Sequence, residues 1–204
     1  MVRTKICGIT RPEQVGPICE LGASALGVVF YDPSPRGVSV ETAQAIRKAM
    51  PAYTTLVGLF VDQPIDQINQ IAEQVQLDAI QFHGDQSLIE CRAANRPWYR
   101  ALRVAPDQSV EALVAPWVGQ GQGILLDTYV KGVPGGTGAA FNWQQVPAQR
   151  DWHLILAGGL TPDNVGQAVQ QTHPWAVDVS GGVESSPGLK DLDKVRAFLQ
   201  GVTQ

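Results

Sequence analysis

No stretch of this 204-residue chain reaches the roughly 18 uninterrupted apolar residues of a membrane span, so no membrane partner is expected. Cysteine is scarce. Cys7, Cys19 and Cys91 are odd in number, widely spaced and free of any C-x-x-C pair, which sets aside a disulfide framework and a zinc site and fits a reducing cytoplasm. Basic charge is not in excess: 15 Lys plus Arg stand against 19 Asp plus Glu. That balance leaves no stripe for a nucleic-acid backbone and no polybasic patch for anionic lipid. The opening Met1-Val2-Arg3-Thr4-Lys5 lacks the h-region and small-residue cleavage site of a signal peptide, so a cytoplasmic location is expected. A small-molecule partner remains.

A chain of this length is expected to form one domain over residues 1–204, since domains run to about 100 to 200 residues. Short apolar, β-branched runs recur along it: Val2–Ile6, Ala25–Phe30, Thr54–Val61, Ala79–Phe82, Trp98–Val104, Ile124–Leu126, Leu154–Leu156 and Ala176–Val179. Between them lie segments of helical spacing, such as Val15, Ile18, Cys19 and Gly22, or Ile65, Ile68, Ile71, Ala72 and Val75. Pro12, Pro64 and Pro162 stand near helix starts, with Asp62 and Thr161 as candidate caps. Alternating strands and helices imply a parallel sheet, and eight such units imply a closed (β/α)8 TIM barrel. The weakest helices are Ser109–Val114 and the segment around Phe141–Val146, interrupted by Pro116 and Pro147; an open doubly wound sheet is the alternative.

In a barrel, the C-terminal strand ends carry the active face, and side chains alternate in and out along each strand. Arg3, Lys5 and Cys7 share one face of the first strand, Gln81 and His83 one face of the fourth, and Asp178 and Ser180 one face of the eighth. Asp127 closes the apolar run of the sixth. Buried charges persist through an ion pair or a function, and four polar strand ends together point to function. Cys19 and Cys91, at helical core spacing, read as packing; His153 and His173, flanked by loops and prolines, read as surface residues.

Two double glycines fall where such barrels hold phosphate, in the loops after strands seven and eight: Ala157-Gly158-Gly159-Leu160 and Ser180-Gly181-Gly182-Val183. A third glycine-rich run, Gly135-Gly136-Thr137-Gly138, has no Gly-Lys-Ser/Thr of a nucleotide loop and reads as a mobile lid. No cofactor and no metal is expected.

These residues resemble a known family. Lys5-Ile6-Cys7-Gly8-Ile9, Ser34-Pro35-Arg36-Gly37-Val38, Gln81-Phe82-His83-Gly84, Leu126-Asp127, Gly135-Gly136-Thr137-Gly138, Leu156-Ala157-Gly158-Gly159-Leu160 and Val177-Asp178-Val179-Ser180-Gly181-Gly182-Val183-Glu184 match phosphoribosylanthranilate isomerases in order over nearly the whole chain. The resemblance implies a cofactor-free Amadori rearrangement of a phosphorylated aminosugar in tryptophan biosynthesis, with Cys7 as general base and Asp127 as general acid. It implies that Arg36 pairs with the anthranilate carboxylate, that His83 and Asp178 lie near the aminosugar, and that Gly158, Gly159, Ser180, Gly181 and Gly182 grip the phosphate. Lys5 is expected either to lower the Cys7 thiol pKa or to contact substrate. One position departs: the family commonly has a second serine where Gly181 stands, which leaves a backbone N–H in place of a side-chain contact.

The related barrel that isomerises a two-phosphate histidine-pathway substrate would need a second phosphate grip, and the loop after strand three reads Asp62-Gln63-Pro64. Indole-glycerol-phosphate synthase carries an amino-terminal extension, whereas strand one begins here at Val2. A phosphate-binding barrel without activity would keep the glycine loops without needing both Cys7 and Asp127. A monomer is expected, with a homodimer left open.

Overall fold

The computed structural model describes residues 1–106, 108–128 and 142–203. Eight strands pair in chain order, all parallel, and the last closes on the first: β1 (Arg3–Cys7), β2 (Ala25–Phe30), β3 (Thr55–Phe60), β4 (Ala79–Phe82), β5 (Trp98–Val104), β6 (Ile124–Thr128), β7 (Leu154–Leu156) and β8 (Ala176–Val179). The fold is the expected TIM barrel. The strand bounds differ from the sequence reading at three places. β1 is shifted by one residue, to Arg3–Cys7, β3 loses a residue at each end, and β6 extends through Asp127 to Thr128. The β6 extension follows from pairing, because Arg103↔Asp127 and Val104↔Thr128 continue the ladder with β5.

Helices α1 (Val15–Glu20), α2 (Val40–Ala49), α3 (Ile65–Val75), α4 (Leu88–Arg92), α5 (Val110–Val114), α6 (Val165–Thr172) and α7 (Leu192–Val202) surround the strands. Amphipathic spacing accounts for their faces: Ile68, Ile71, Ala72 and Val75 of α3 are buried, as are Val195, Phe198 and Val202 of α7. Ser39, Ser109 and Asp191 cap α2, α5 and α7, and Ser87 with Glu90 forms a capping box on α4.

Several expectations are corrected. Neither Asp62 nor Thr161 caps a helix. α3 begins from Pro64 without a side-chain cap, and Asp62, turned by φ +60°, accepts instead from the Asp85 N–H. α6 begins at Asn164, whose side chain accepts from the Thr161 N–H. Between β6 and β7 the described residues hold a single 3-10 turn, Trp143–Gln145, where an α-helix was expected. A short hairpin follows β8, formed by β9 (Glu184–Ser186) and β10 (Leu189–Lys190) and turning at Gly188 with φ +82°; the sequence reading had no strand there.

Two apolar regions result. One lies between strands and helices and includes Ile6, Leu26, Phe60, Ile80, Phe82, Leu126, Leu156 and Phe198, all fully buried. Cys91 is buried in it and Cys19 packs against it. The other, inside the barrel, contains only Val57, Tyr99, Ala101, Leu125 and Ala157 among buried residues.

Candidate active site

The barrel interior is wired by polar groups from β1, β4, β5 and β8. Lys5 of β1 donates to Asp178 on β8 at 2.7 Å and to Gln81 on β4 at 2.9 Å. Since β1 and β4 are separated by two strands in the ring, the second bond crosses the lumen. Tyr99 of β5 donates to the same Gln81 oxygen at 2.9 Å. Burial opposes the Lys5 charge, and Asp178, with smaller contributions from Cys7 and Tyr99, overturns that and raises its pKa well above the ordinary value. The ammonium stays charged inside the protein.

Above this floor a cavity of about 400 Å³ opens at the C-terminal strand ends. Its lining brings together Cys7, Arg36, His83, Asp127, Gly158, Gly159, Asp178, Ser180, Gly181 and Gly182. Lys5 is not part of that lining: it is 4% exposed, and its ammonium is held by Asp178 and Gln81. The Gly135-Gly136-Thr137-Gly138 run lies outside the described residues. His153 and His173 are exposed and away from the cavity.

Asp127 and Cys7 both enter from strand ends and are nearly buried. Desolvation raises the Asp127 carboxyl to about 6, despite the Thr128 N–H that donates to it at 2.7 Å. At that value a share of the group is a proton donor near neutrality. Desolvation also raises the Cys7 thiol; Lys5 acts in the opposite direction, as the sequence suggested, but burial outweighs it. His83 is pushed down to about 4, first by burial and then by Arg103, Lys5 and Arg100, so it is neutral at physiological pH. Its Nε2 has no hydrogen-bond partner among the described residues and stands 3.6 Å from Oδ2 of Asp127. Asp178 keeps one buried oxygen, Oδ1, without a described partner. Both atoms are free to meet a ligand.

The glycine loops are shaped for close approach. Gly158 has φ +80°, and a Cβ there would strike Thr128 and come within 2.9 Å of Asp127 Oδ1. At Gly182 a Cβ would collide with the Leu160 carbonyl. Outside the helices and strands, the N–H groups of Gly159, Gly181 and Gly182 donate to no described backbone carbonyl, which leaves a set of donors suited to an anion. Behind them Lys190, with its side chain fully buried, donates to the Ser180 carbonyl at 3.2 Å and to Glu184 at 2.7 Å. The loop after β2 folds back through the Val38 N–H to the Val29 carbonyl at 3.0 Å, which returns Arg36 to the rim. There its guanidinium forks onto Glu184 at 2.9 and 2.7 Å. Burial opposes the Glu184 charge, and Arg36 and Lys190 together hold its pKa below the usual range.

The sequence reading placed Gln81 on the inward face without giving it a role, and it missed Tyr99, Lys190 and the Glu184 pair. Gln81 and Tyr99 carried a signal, because each occupies an inward period-two position; Lys190 sits in a two-residue strand and carried none. Among the described residues, no group of three or more His, Cys, Asp or Glu side chains is placed to hold a metal ion, and no helix is long and apolar enough to cross a membrane.

Comparison with known proteins adds an independent line. The family model for N-(5'-phosphoribosyl)anthranilate (PRA) isomerase matches residues 4–201. An N-(5'-phosphoribosyl)anthranilate isomerase of Pseudomonas putida (strain GB-1) is 53% identical over 203 residues, covering 100% of this chain and 98% of its own. The crystal structure of phosphoribosyl anthranilate isomerase from Thermotoga maritima superposes with a TM-score of 0.91 at 37% identity, over 100% of this chain and 99% of that one. A phosphoribosyl anthranilate isomerase in complex with reduced 1-(o-carboxyphenylamino)-1-deoxyribulose 5-phosphate gives 0.88 at 36% identity, with the same coverage. Matched by the family model along almost its full length and more than half identical to a full-length relative, this chain belongs to the N-(5'-phosphoribosyl)anthranilate isomerase family.

Proposed function

We propose that this chain, acting as one barrel domain, converts N-(5'-phosphoribosyl)anthranilate to 1-(2-carboxyphenylamino)-1-deoxyribulose 5-phosphate in tryptophan biosynthesis, with Asp127 as general acid and Cys7 as general base. The reading rests above all on one observation: thiol and carboxyl line the same cavity as two glycine loops with free N–H donors.

The loops Gly158-Gly159 and Ser180-Gly181-Gly182 hold the phosphate, with the Lys190 charge behind them. Asp127 delivers a proton to the ribose ring oxygen as the C1–O bond breaks, and the nitrogen lone pair forms an iminium with C1. The iminium acidifies the C2 hydrogen, which Cys7 removes as thiolate. The resulting enol-amine relaxes to a ketone at C2 and a methylene at C1. C2 is oxidised and C1 reduced within one molecule, so no external electron carrier enters the balance.

Electrostatics fit the two roles unequally. Burial alone gives Asp127 a donating form, whereas the Cys7 thiolate needs positive charge, supplied by Lys5 beneath it and by the iminium once formed. Arg36 meets the anthranilate carboxylate, exchanging or sharing its Glu184 partner, and Asp178 Oδ1 accepts from a sugar hydroxyl. Every residue assigned comes from a single chain, so the site is proposed to work in a monomer, although a dimeric phosphoribosylanthranilate isomerase from Thermotoga maritima occurs among the related structures.

Mixing the purified protein with freshly generated phosphoribosylanthranilate and following the decay of its fluorescence tests the reading. Decay that scales with protein concentration is expected. Decay at the rate of the buffer control would favour a phosphate-binding barrel without catalytic activity.

A further inference from the structure

Gln81 is 1% exposed at the floor of the pocket, and its amide can stand only one way round. Lys5 Nζ, which is solely a donor, reaches one end at 2.9 Å, and the Tyr99 hydroxyl reaches the same atom at 2.9 Å. That end must be the carbonyl oxygen, because an NH2 group there would face an ammonium. The other end is then the NH2 group, and it lies 3.0 Å from Nδ1 of His83. It has only hydrogens to offer, so Nδ1 must accept and the neutral ring carries its proton on Nε2. Nε2 is the ring atom that faces Asp127 Oδ2 at 3.6 Å and lacks any described partner.

We propose that Gln81 is a positioning residue that locks His83 as the Nε2–H tautomer, so that the pocket receives a fixed neutral hydrogen-bond donor beside Asp127 and no imidazole base. The lock runs back through Lys5 to Asp178, whose 2.7 Å ion pair keeps Lys5 a donor. Its consequence for chemistry is specific. An Nδ1–H ring would turn a lone pair toward Asp127 and hold the carboxyl proton in a hydrogen bond, directed away from the sugar. The Nε2–H ring instead donates to the Asp127 carboxylate after that proton has left. Of the groups around the ring, burial disfavours a second proton most and Arg103, Lys5 and Arg100 add to it, while Asp127 at 3.6 Å opposes them when it is ionised; the sum leaves the ring neutral.

The functional half of this inference rests on the isomerase reading; the tautomer itself does not. Long-range 1H–15N correlation spectra of the full chain at neutral pH report which ring nitrogen carries the proton. The chain has three histidines, and His83→Asn identifies the pattern that belongs to His83. An Nε2–H pattern is expected, and an Nδ1–H pattern or an exchanging mixture would overturn the lock. In Gln81→Glu the carboxylate beside Lys5 stays ionised and accepts from Nδ1, so the proton should move to that nitrogen. With it, kcat should fall on the order of 10²-fold while KM stays within about threefold. A Gln81→Glu variant with the switched tautomer and wild-type kcat would overturn the catalytic half, and one that keeps Nε2–H would overturn the lock. Should that variant fail to fold, the wild-type spectrum decides. Since the spectrum needs no substrate, it is independent of the turnover assay.

Discussion

Between strands and helices the fully buried side chains are Phe60, Phe82, Phe198, Ile80 and others like them, whereas inside the barrel the apolar cluster shrinks to Val57, Tyr99, Ala101, Leu125 and Ala157. The interior shares its space with Lys5, Gln81, His83 and Asp178, all less than a tenth exposed. The outer layer gains stability from apolar area removed from water, at about 25 cal/mol per Å². The inner layer forgoes part of that gain to hold charges and donors at fixed places, which is the arrangement that catalysis by preorganised polar groups requires. Folding energy therefore sits mainly outside the strand wall and chemistry inside it, although the same strands supply both.

Three sets of variants break or sharpen that contrast. The largest effect is expected inside. Cys7→Ala and Asp127→Asn should each lower kcat by roughly 10² to 10⁴-fold, with KM little changed and thermal stability not reduced; steady-state kinetics with a melting curve would show it. Outside, Phe198→Ala removes a fully buried ring of α7 and should cost about 3–5 kcal/mol of stability, read by urea unfolding. Its kcat below the unfolding transition should remain that of the parent. A large loss of kcat there would dissolve the division between the two layers.

The smallest effect lies in the pH dependence of stability and concerns two groups in contact. Asp127 at about 6 in the folded protein, against about 3.9 unfolded, binds a proton that the unfolded chain has released. Its contribution to stability therefore falls as pH rises from about 4 to 6, by roughly 3 kcal/mol. His83 at about 4 folded, against about 6.5 unfolded, has the opposite sign: stability rises with pH across the same window by a similar amount, about 3 kcal/mol. In the parent protein the two nearly cancel. Asp127→Asn should uncover a rise of stability with pH and His83→Asn a fall, both measurable as urea midpoints between about pH 4 and 6.5. Parallel slopes in the two variants would show that at least one of these groups is not perturbed by burial as described.

How much of this was legible in the sequence follows the same division. Alternation along single strands was enough to place Lys5, Cys7, Gln81, His83, Asp127 and Asp178 inward, because the period-two rule is local and survives small errors in strand ends. Partnerships were not legible. Lys5 meets Asp178 across 173 positions of sequence and Gln81 across 76, and only ring closure and register bring them together. The balance of opposing effects on Cys7 was equally hidden: the lysine could be read from the chain, but the burial that outweighs it is a property of the finished barrel. The β9–β10 hairpin escaped because its strands, Glu184–Ser186 and Leu189–Lys190, carry no apolar run of the kind that marked the equally short β7, and with it went the buried Lys190 behind the phosphate loop.

The central claim is that a base on β1 and an acid on β6 act on one phosphate-anchored sugar. A crystal structure of this chain with a reduced product analogue, of the kind bound in the related isomerase complex, tests it most directly. The account predicts phosphate on the Gly158-Gly159 and Ser180-Gly181-Gly182 loops, with Cys7 Sγ beside C2. It also places the Asp127 carboxyl beside the C4 oxygen that closes the ring in the substrate, each contact at about 3–3.5 Å. Phosphate held elsewhere, or a sulfur and carboxyl that do not touch the same five-carbon chain, would contradict it.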